Sequence, residues 1–96
     1  MDKEEVLNIL RQFKQEYAKE YHLLSLGIFG SVARDEAKPE SDVDIVFETD
    51  QPNLFRTASM KVELENLLAH EVDLIRLREK MDESLKREIE KEALYV

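Results

Sequence analysis

The feature that most narrows the fold is a pair of short apolar runs, the first closed by glycine and serine and the second opened by two aspartates. Leu23-Leu24-Ser25-Leu26-Gly27-Ile28-Phe29 is short, apolar and ended by Gly30-Ser31, which predicts a buried strand running into a turn. After the turn chemistry of Lys38-Pro39-Glu40-Ser41, the run Asp42-Val43-Asp44-Ile45-Val46-Phe47 alternates. A strand period of two puts Val43, Ile45 and Phe47 on one face and Asp42 and Asp44 on the other.

The rest of the chain supplies helices and one more strand. Val6, Ile9, Leu10, Phe13 and Tyr17 recur at steps of three and four, which predicts an amphipathic helix over about residues 3 to 20 with a core-facing stripe. Ser31 suits the N-cap of a short helix. A second long helix fits residues 53 to 70, with Asn53 as its cap and Leu54, Ala58, Val62 and Leu67-Leu68 as its apolar side. Glu71 to Leu77 reads as a third strand, Val72 and Leu74 facing one way and Asp73 and Ile75 the other. The tail from Asp82 to Glu92, with Leu85 and Ile89 four apart and Asp82/Lys86 and Glu83/Arg87 spaced for helical pairing, predicts a last, solvated helix. The expected order is helix, strand, short helix, strand, helix, strand, helix. No repeat, low-complexity stretch or linker divides it, so residues 1–96 are expected to form one domain.

Composition closes off several function classes. Apolar residues at 43% and charged residues at 38%, with two glycines and two prolines, fit a regular fold rather than a disordered segment. A net charge of −8 opposes sequence-independent nucleic-acid binding, which draws on Lys and Arg, and suits a basic protein partner instead. Lys61, Arg76, Arg78, Lys80, Lys86 and Arg87 are interleaved with acids, as on solvated faces. The absence of cysteine removes thiolate and zinc-thiolate chemistry and accords with a reducing cytosol. No apolar stretch reaches the roughly 20 residues of a membrane span, and the N-terminus lacks the form of a signal peptide. A cytoplasmic protein is expected.

The chemistry rests on one constellation. Gly30 allows close backbone approach, and Ser31 offers a hydroxyl and an N–H near a helix start, where anions are favoured. Asp42 and Asp44 emerge on one strand face about 7 Å apart at the backbone. Aspartate is disfavoured in strands, so two in one short strand call for an explanation. A divalent cation between them relieves their repulsion, and Mg²⁺ takes oxygen ligands of this kind. Asp73 adds a third carboxylate if its strand lies beside the second. Three carboxylates suffice for two ions, which share the leaving group and the attacking oxygen in phosphoryl displacement. Asp73 would then be bridging ligand or base. His22 and His70 lie outside this constellation and are assigned no role.

Gly30-Ser31, a ten-residue interval and Asp42-Val43-Asp44, followed by a later acid on a strand, resembles the signature of the DNA polymerase β-like nucleotidyltransferases. More closely, Gly30-Ser31-Val32-Ala33-Arg34 through Glu40-Ser41-Asp42-Val43-Asp44-Ile45-Val46 is similar to the minimal nucleotidyltransferases, in particular the antitoxin partner of HEPN-domain toxins. The resemblance implies an α/β (α+β) fold, a mixed three- to four-stranded sheet backed by helices. It implies Gly30 and Ser31 on the triphosphate, and Asp42, Asp44 and Asp73 as catalytic residues holding Mg²⁺. Arg34 matches an arginine that commonly follows the Gly-Ser pair, and it could reach a phosphate or brace the loop. Ser41 also matches, joining the nucleotide-binding set with turn capping as its leading role. Asp35 stands where many members carry glycine.

The implied activity is Mg²⁺-dependent transfer of AMP from ATP to a protein, the acceptor being a HEPN ribonuclease toxin neutralised by AMPylation. Two other readings stand beside it. One is a non-catalytic antitoxin that masks its partner by binding, for which the acidic balance is suited. The other is nucleotide transfer to a small molecule, disfavoured because a chain this short has no second domain to close over such a substrate unless it assembles with itself or another chain.

Overall fold

The computed structural model describes residues 2–96. The chain runs through α1 (Lys3–Tyr17), β1 (Leu23–Phe29), α2 (Gly30–Ala33), β2 (Val43–Thr49), α3 (Leu54–Leu68), β3 (Val72–Arg76), α4 (Glu83–Glu92) and β4 (Leu94–Tyr95). The strands form one mixed sheet in the order β3-β2-β1-β4. Strand β1 is antiparallel to both β2 and β4, while β2 and β3 are parallel, with α3 as the crossover between them.

Helix α1 starts where Asp2 accepts a hydrogen bond from the Glu5 N–H at 2.9 Å. It buries Val6, Leu7, Leu10 and Phe13. The helix ends at Tyr17, short of the expected residue 20, but hydrogen bonding continues as a turn. The Leu23 N–H donates to the Ala18 carbonyl at 2.9 Å and the His22 N–H to the Lys19 carbonyl at 3.3 Å. These paired bonds, with His22 at φ +53°, make a Schellman termination in which histidine takes the left-handed position glycine usually fills. His22 thus has a structural task.

Helix α3 is capped as expected, Asn53 accepting from the Arg56 N–H at 2.9 Å, but it turns a different face inward. Met60, Leu64 and Leu68 are buried; of the expected apolar side Leu68 is therefore inside, whereas Leu54, Ala58, Val62 and Leu67 are exposed. The i, i+4 row through residues 60, 64 and 68 packs on the sheet, and the other apolar residues are scattered around the exposed side.

Helices α1 and α3 cover one face of the sheet, where Val43, Ile45 and Phe47 of β2 join them in a continuous buried cluster. Helix α4 covers the other face. Its Ile89 is fully buried against Phe29 and Val46, so the expectation of a merely solvated helix is corrected: one stripe is core. Asp82 serves as its N-cap, accepting from the Leu85 N–H at 3.0 Å. The strand after α4 was not expected. Leu94 and Tyr95 pair with Ile28 and Gly27, and a Cβ on Gly27 would lie 2.5 Å from the Leu94 carbonyl oxygen. The missing side chain therefore admits the added edge strand.

Candidate active site

The same alternation that buries Val43 and Ile45 under α1 and α3 turns Asp44 to the α4 face. In β-sheet register Asp44 lies opposite Phe29 of β1 on one side and Asp73 of β3 on the other. Two carboxylates are therefore neighbours across a parallel ladder, and Asp42 immediately precedes β2 at the same end. Local bonds fix this end of the sheet. The Val43 N–H donates to the Glu71 carbonyl at 2.9 Å, and the Val72 N–H donates to the Glu65 carboxylate at 3.0 Å. Ser41 closes the turn before Asp42: its Oγ accepts from the Lys38 N–H at 3.0 Å and its own N–H donates to the Lys38 carbonyl at 2.9 Å.

Gly30 meets the acids directly. Its φ is +70°, and a Cβ there would overlap the Asp44 carboxylate, lying on Oδ2 and 3.0 Å from Cγ. Glycine is thus required twice, for its backbone conformation and for the space Asp44 occupies. Ser31 does not cap α2 as expected. The N-cap position is Phe29, without a side-chain cap, and Ser31 sits inside the single turn of α2. Its hydroxyl is consequently not spent on capping. A single turn carries little macrodipole, so an anion here would rely on individual N–H and O–H donors rather than on the helix.

Arg34 ends α2 and is bound by three glutamates. Its Nε donates to Glu36 Oε1 at 2.7 Å and its Nη1 to Glu92 Oε2 at 2.9 Å, with Glu88 Oε1 4.0 Å from Nη1. The structure therefore places the guanidinium as a brace between the Gly-Ser loop and α4. Asp35 sits at φ +59°, the left-handed conformation glycine adopts without strain, and its carboxylate takes an ion pair from Lys3 at 3.0 Å. The loop keeps its left-handed turn although glycine is absent.

The electrostatics show what the cluster lacks. Asp44 is half-buried, and its pKa is pushed up from 3.8 to about 6, first by burial and then by the negative charges of Asp73, Glu88 and Asp42, with Arg34 opposing. Sequence reading missed Glu88 and Glu92. Their signal was the Leu85 and Ile89 stripe of α4: once that stripe is core, residues one position before Ile89 and three after it stand at its flank, beside the acids. Among the described residues no three acidic or histidine side chains converge tightly enough to hold a metal as they stand. The donor set is nonetheless all carboxylate oxygen, with repulsion that burial does not screen, which fits a hard divalent cation rather than a soft one.

A mixed four-stranded sheet carrying acids at the ends of two parallel strands, facing a glycine-serine loop, is the architecture of a nucleotidyltransferase. Residues 7–96 match the family model of the nucleotidyltransferase domain. Protein adenylyltransferase MntA of Thermococcus cleftensis is 33% identical over 94 residues, covering 97% of this chain and 94% of the relative. A solved candidate minimal nucleotidyltransferase superposes with a TM-score of 0.79 at 30% identity, covering 98% of this chain and 95% of that one. A chain from the complex of tri-AMPylated Shewanella oneidensis HEPN toxin with MNT antitoxin shares the fold, with a TM-score of 0.72 at 17% identity and coverage of 97% and 70%. The chain belongs to the nucleotidyltransferase domain family, among the minimal nucleotidyltransferases that include MntA.

Proposed function

We propose that this protein is a cytoplasmic protein adenylyltransferase that moves AMP from ATP to a hydroxyl of a HEPN-domain toxin and so neutralises it. The observation that carries the reading is the contact between Gly30 and Asp44, with Asp73 in register beside it: backbone open to a phosphate stands against a paired carboxylate. Relatives named protein adenylyltransferase, and a neighbour in fold from a toxin–antitoxin complex, support the choice of acceptor.

Gly30 and Ser31 bind the triphosphate through backbone N–H groups and the Ser31 hydroxyl, at a loop where no Cβ keeps the substrate away. Asp42, Asp44 and Asp73 would hold Mg²⁺, which would supply charge neutralisation of the phosphates. Arg34, braced by Glu36 and Glu92, lies within reach of the same substrate charge, while Ser41 shapes the turn that presents Asp42. The acceptor oxygen attacks the α-phosphorus, a new O–P bond forms, the bond to the β-phosphate oxygen breaks, and pyrophosphate leaves. Asp73, exposed at the sheet edge, accepts the proton released by the hydroxyl.

Incubating the chain with its HEPN toxin, Mg²⁺ and ATP, followed by intact-mass measurement, is expected to add one or more AMP units to the toxin. Neutralisation at unchanged toxin mass would instead favour direct masking.

A further inference from the structure

The face of the molecule opposite the acids carries an unpartnered trough. Helix α3 spans 15 residues, about 22 Å, and it leaves Phe55 (88%) near its start and Leu67 (52%) near its end exposed. Each lines a hollow beside α3, where an exposed large apolar side chain offers a contact point. Two adjoining hollows of about 300 Å³ and 380 Å³, both lined by Glu63, make up a channel beside α3, the first against α1 and the second against the turn that follows it.

The floor of that channel is aromatic. Phe13 and Tyr17 of α1 pack tilted with ring centroids 4.9 Å apart, and Tyr21 of the following turn stacks on Phe13 at 5.8 Å. The rim is acidic. Glu16 and Glu63, then burial, then Glu20, raise the Tyr17 phenol above its ordinary value, showing negative potential concentrated over the aromatic floor. Arg56 is the cation lining the channel, and its Nη2 already donates to the Gln51 carbonyl at 2.8 Å.

We infer that this channel docks an amphipathic helix of a partner protein, with aliphatic side chains seated on Phe55 and Leu67 and flanking Lys or Arg side chains paired with Glu16, Glu20 and Glu63. An apolar groove of helical length is the receptor for such a segment. The acids choose a basic one, and the partly exposed ring of Tyr17 adds cation–π attraction for the same side chains. The surface lies across the sheet from Asp44, so a docked partner leaves the nucleotide site open. The inference does not depend on transfer chemistry.

The test uses the full chain in its own cells, with the photo-reactive residue benzoylphenylalanine placed at Phe55, at Leu67, or, as a control on the α4 face, at exposed Arg87. The expected result is cross-linking from the first two positions and not the third, to a protein segment that maps by peptide mass to a helix bearing Lys or Arg. Adding Glu16→Lys with Glu63→Lys, both surface changes, should cut the yield at least tenfold while the thermal melt is kept. Yield unchanged by charge reversal, cross-links to a second copy of the chain or to a segment without basic residues, or no yield above the control would each overturn the proposal. The Asp42→Asn/Asp44→Asn variant should keep the cross-links, separating this outcome from any failure of the transfer reading.

Discussion

The two faces of the sheet are built from one alternating sequence and have opposite characters. On the α1/α3 face, residues 43, 45 and 47 are buried with side chains from both long helices in a continuous apolar cluster. On the α4 face, Phe29, Val46 and Ile89 make a small core beside Asp44, whose carboxylate is only half covered and lies among other acids. One face supplies the stability from which the other face draws, because a repulsive acid cluster persists only when neighbouring packing over-determines its position. Substitutions should therefore separate along the sheet plane.

The largest separation is expected from Asp42→Asn/Asp44→Asn. Removing the ligands should lower AMP transfer at least a thousandfold, equivalent to about 4 kcal/mol of lost transition-state stabilisation. The melting temperature should hold or rise, as measured by parallel transfer assays and thermal unfolding. The reverse pattern is expected from Leu64→Ala under α3, which should cost about 3 kcal/mol of stability by denaturant unfolding. Activity per folded molecule should be little changed.

Gly30→Ala sits on the boundary and should damage both properties. The added Cβ meets the Asp44 carboxylate at a positive φ, so a loss of about 1–2 kcal/mol should accompany a loss of transfer. Retained activity at full stability would show that the loop and β2 are less tightly joined than their contact implies.

The smallest effect is one of pH. Asp44 titrates near 6 when folded against an ordinary 3.8, so between these values the metal-free folded state holds a proton that the unfolded chain has released. Its contribution to stability is complete below about pH 4 and is lost as pH rises through about 6. Solvent screening of a half-covered group reduces the effect to about 1 kcal/mol. Denaturant unfolding from pH 4 to 7 should show this fall in the parent protein and a flatter profile in Asp44→Asn.

Much of this division was legible in the sequence. Strand alternation alone turned Asp44 and Asp73 away from Val43 and Val72, and the register then made them neighbours. The capping of α3 by Asn53 and the turn role of Ser41 followed from local chemistry that tertiary packing does not override. Helix α3 is harder because its apolar residues are spread around the helix. Periodicity counts them without saying which ones meet the sheet, so of the expected side Leu68 is inside and Leu54, Val62 and Leu67 are not, while Met60 and Leu64 are the core residues it leaves out. Helix α4 differs: the Leu85 and Ile89 step is visible in the sequence, but two apolar residues among paired charges read as a solvated helix, and only the packing on Phe29 and Val46 makes the stripe core. The edge strand at Leu94–Tyr95 depends on the absent side chain of Gly27, a long-range fit that no local window contains. Glu88 and Glu92 stayed invisible with α4, so the sequence, which left Arg34 to reach a phosphate or brace the loop, carried no sign of the glutamates on α4 that it meets.

The central claim is that nucleotide and Mg²⁺ bind on the acidic α4 face. Amide chemical-shift mapping with Mg²⁺ and a non-hydrolysable ATP analogue tests it most directly. The account predicts perturbation at Gly30, Ser31, Asp42, Asp44 and Asp73, abolished by chelating the metal, with α1 and the exposed side of α3 unmoved. Perturbation centred on the α1/α3 trough, or binding indifferent to the metal, would contradict it.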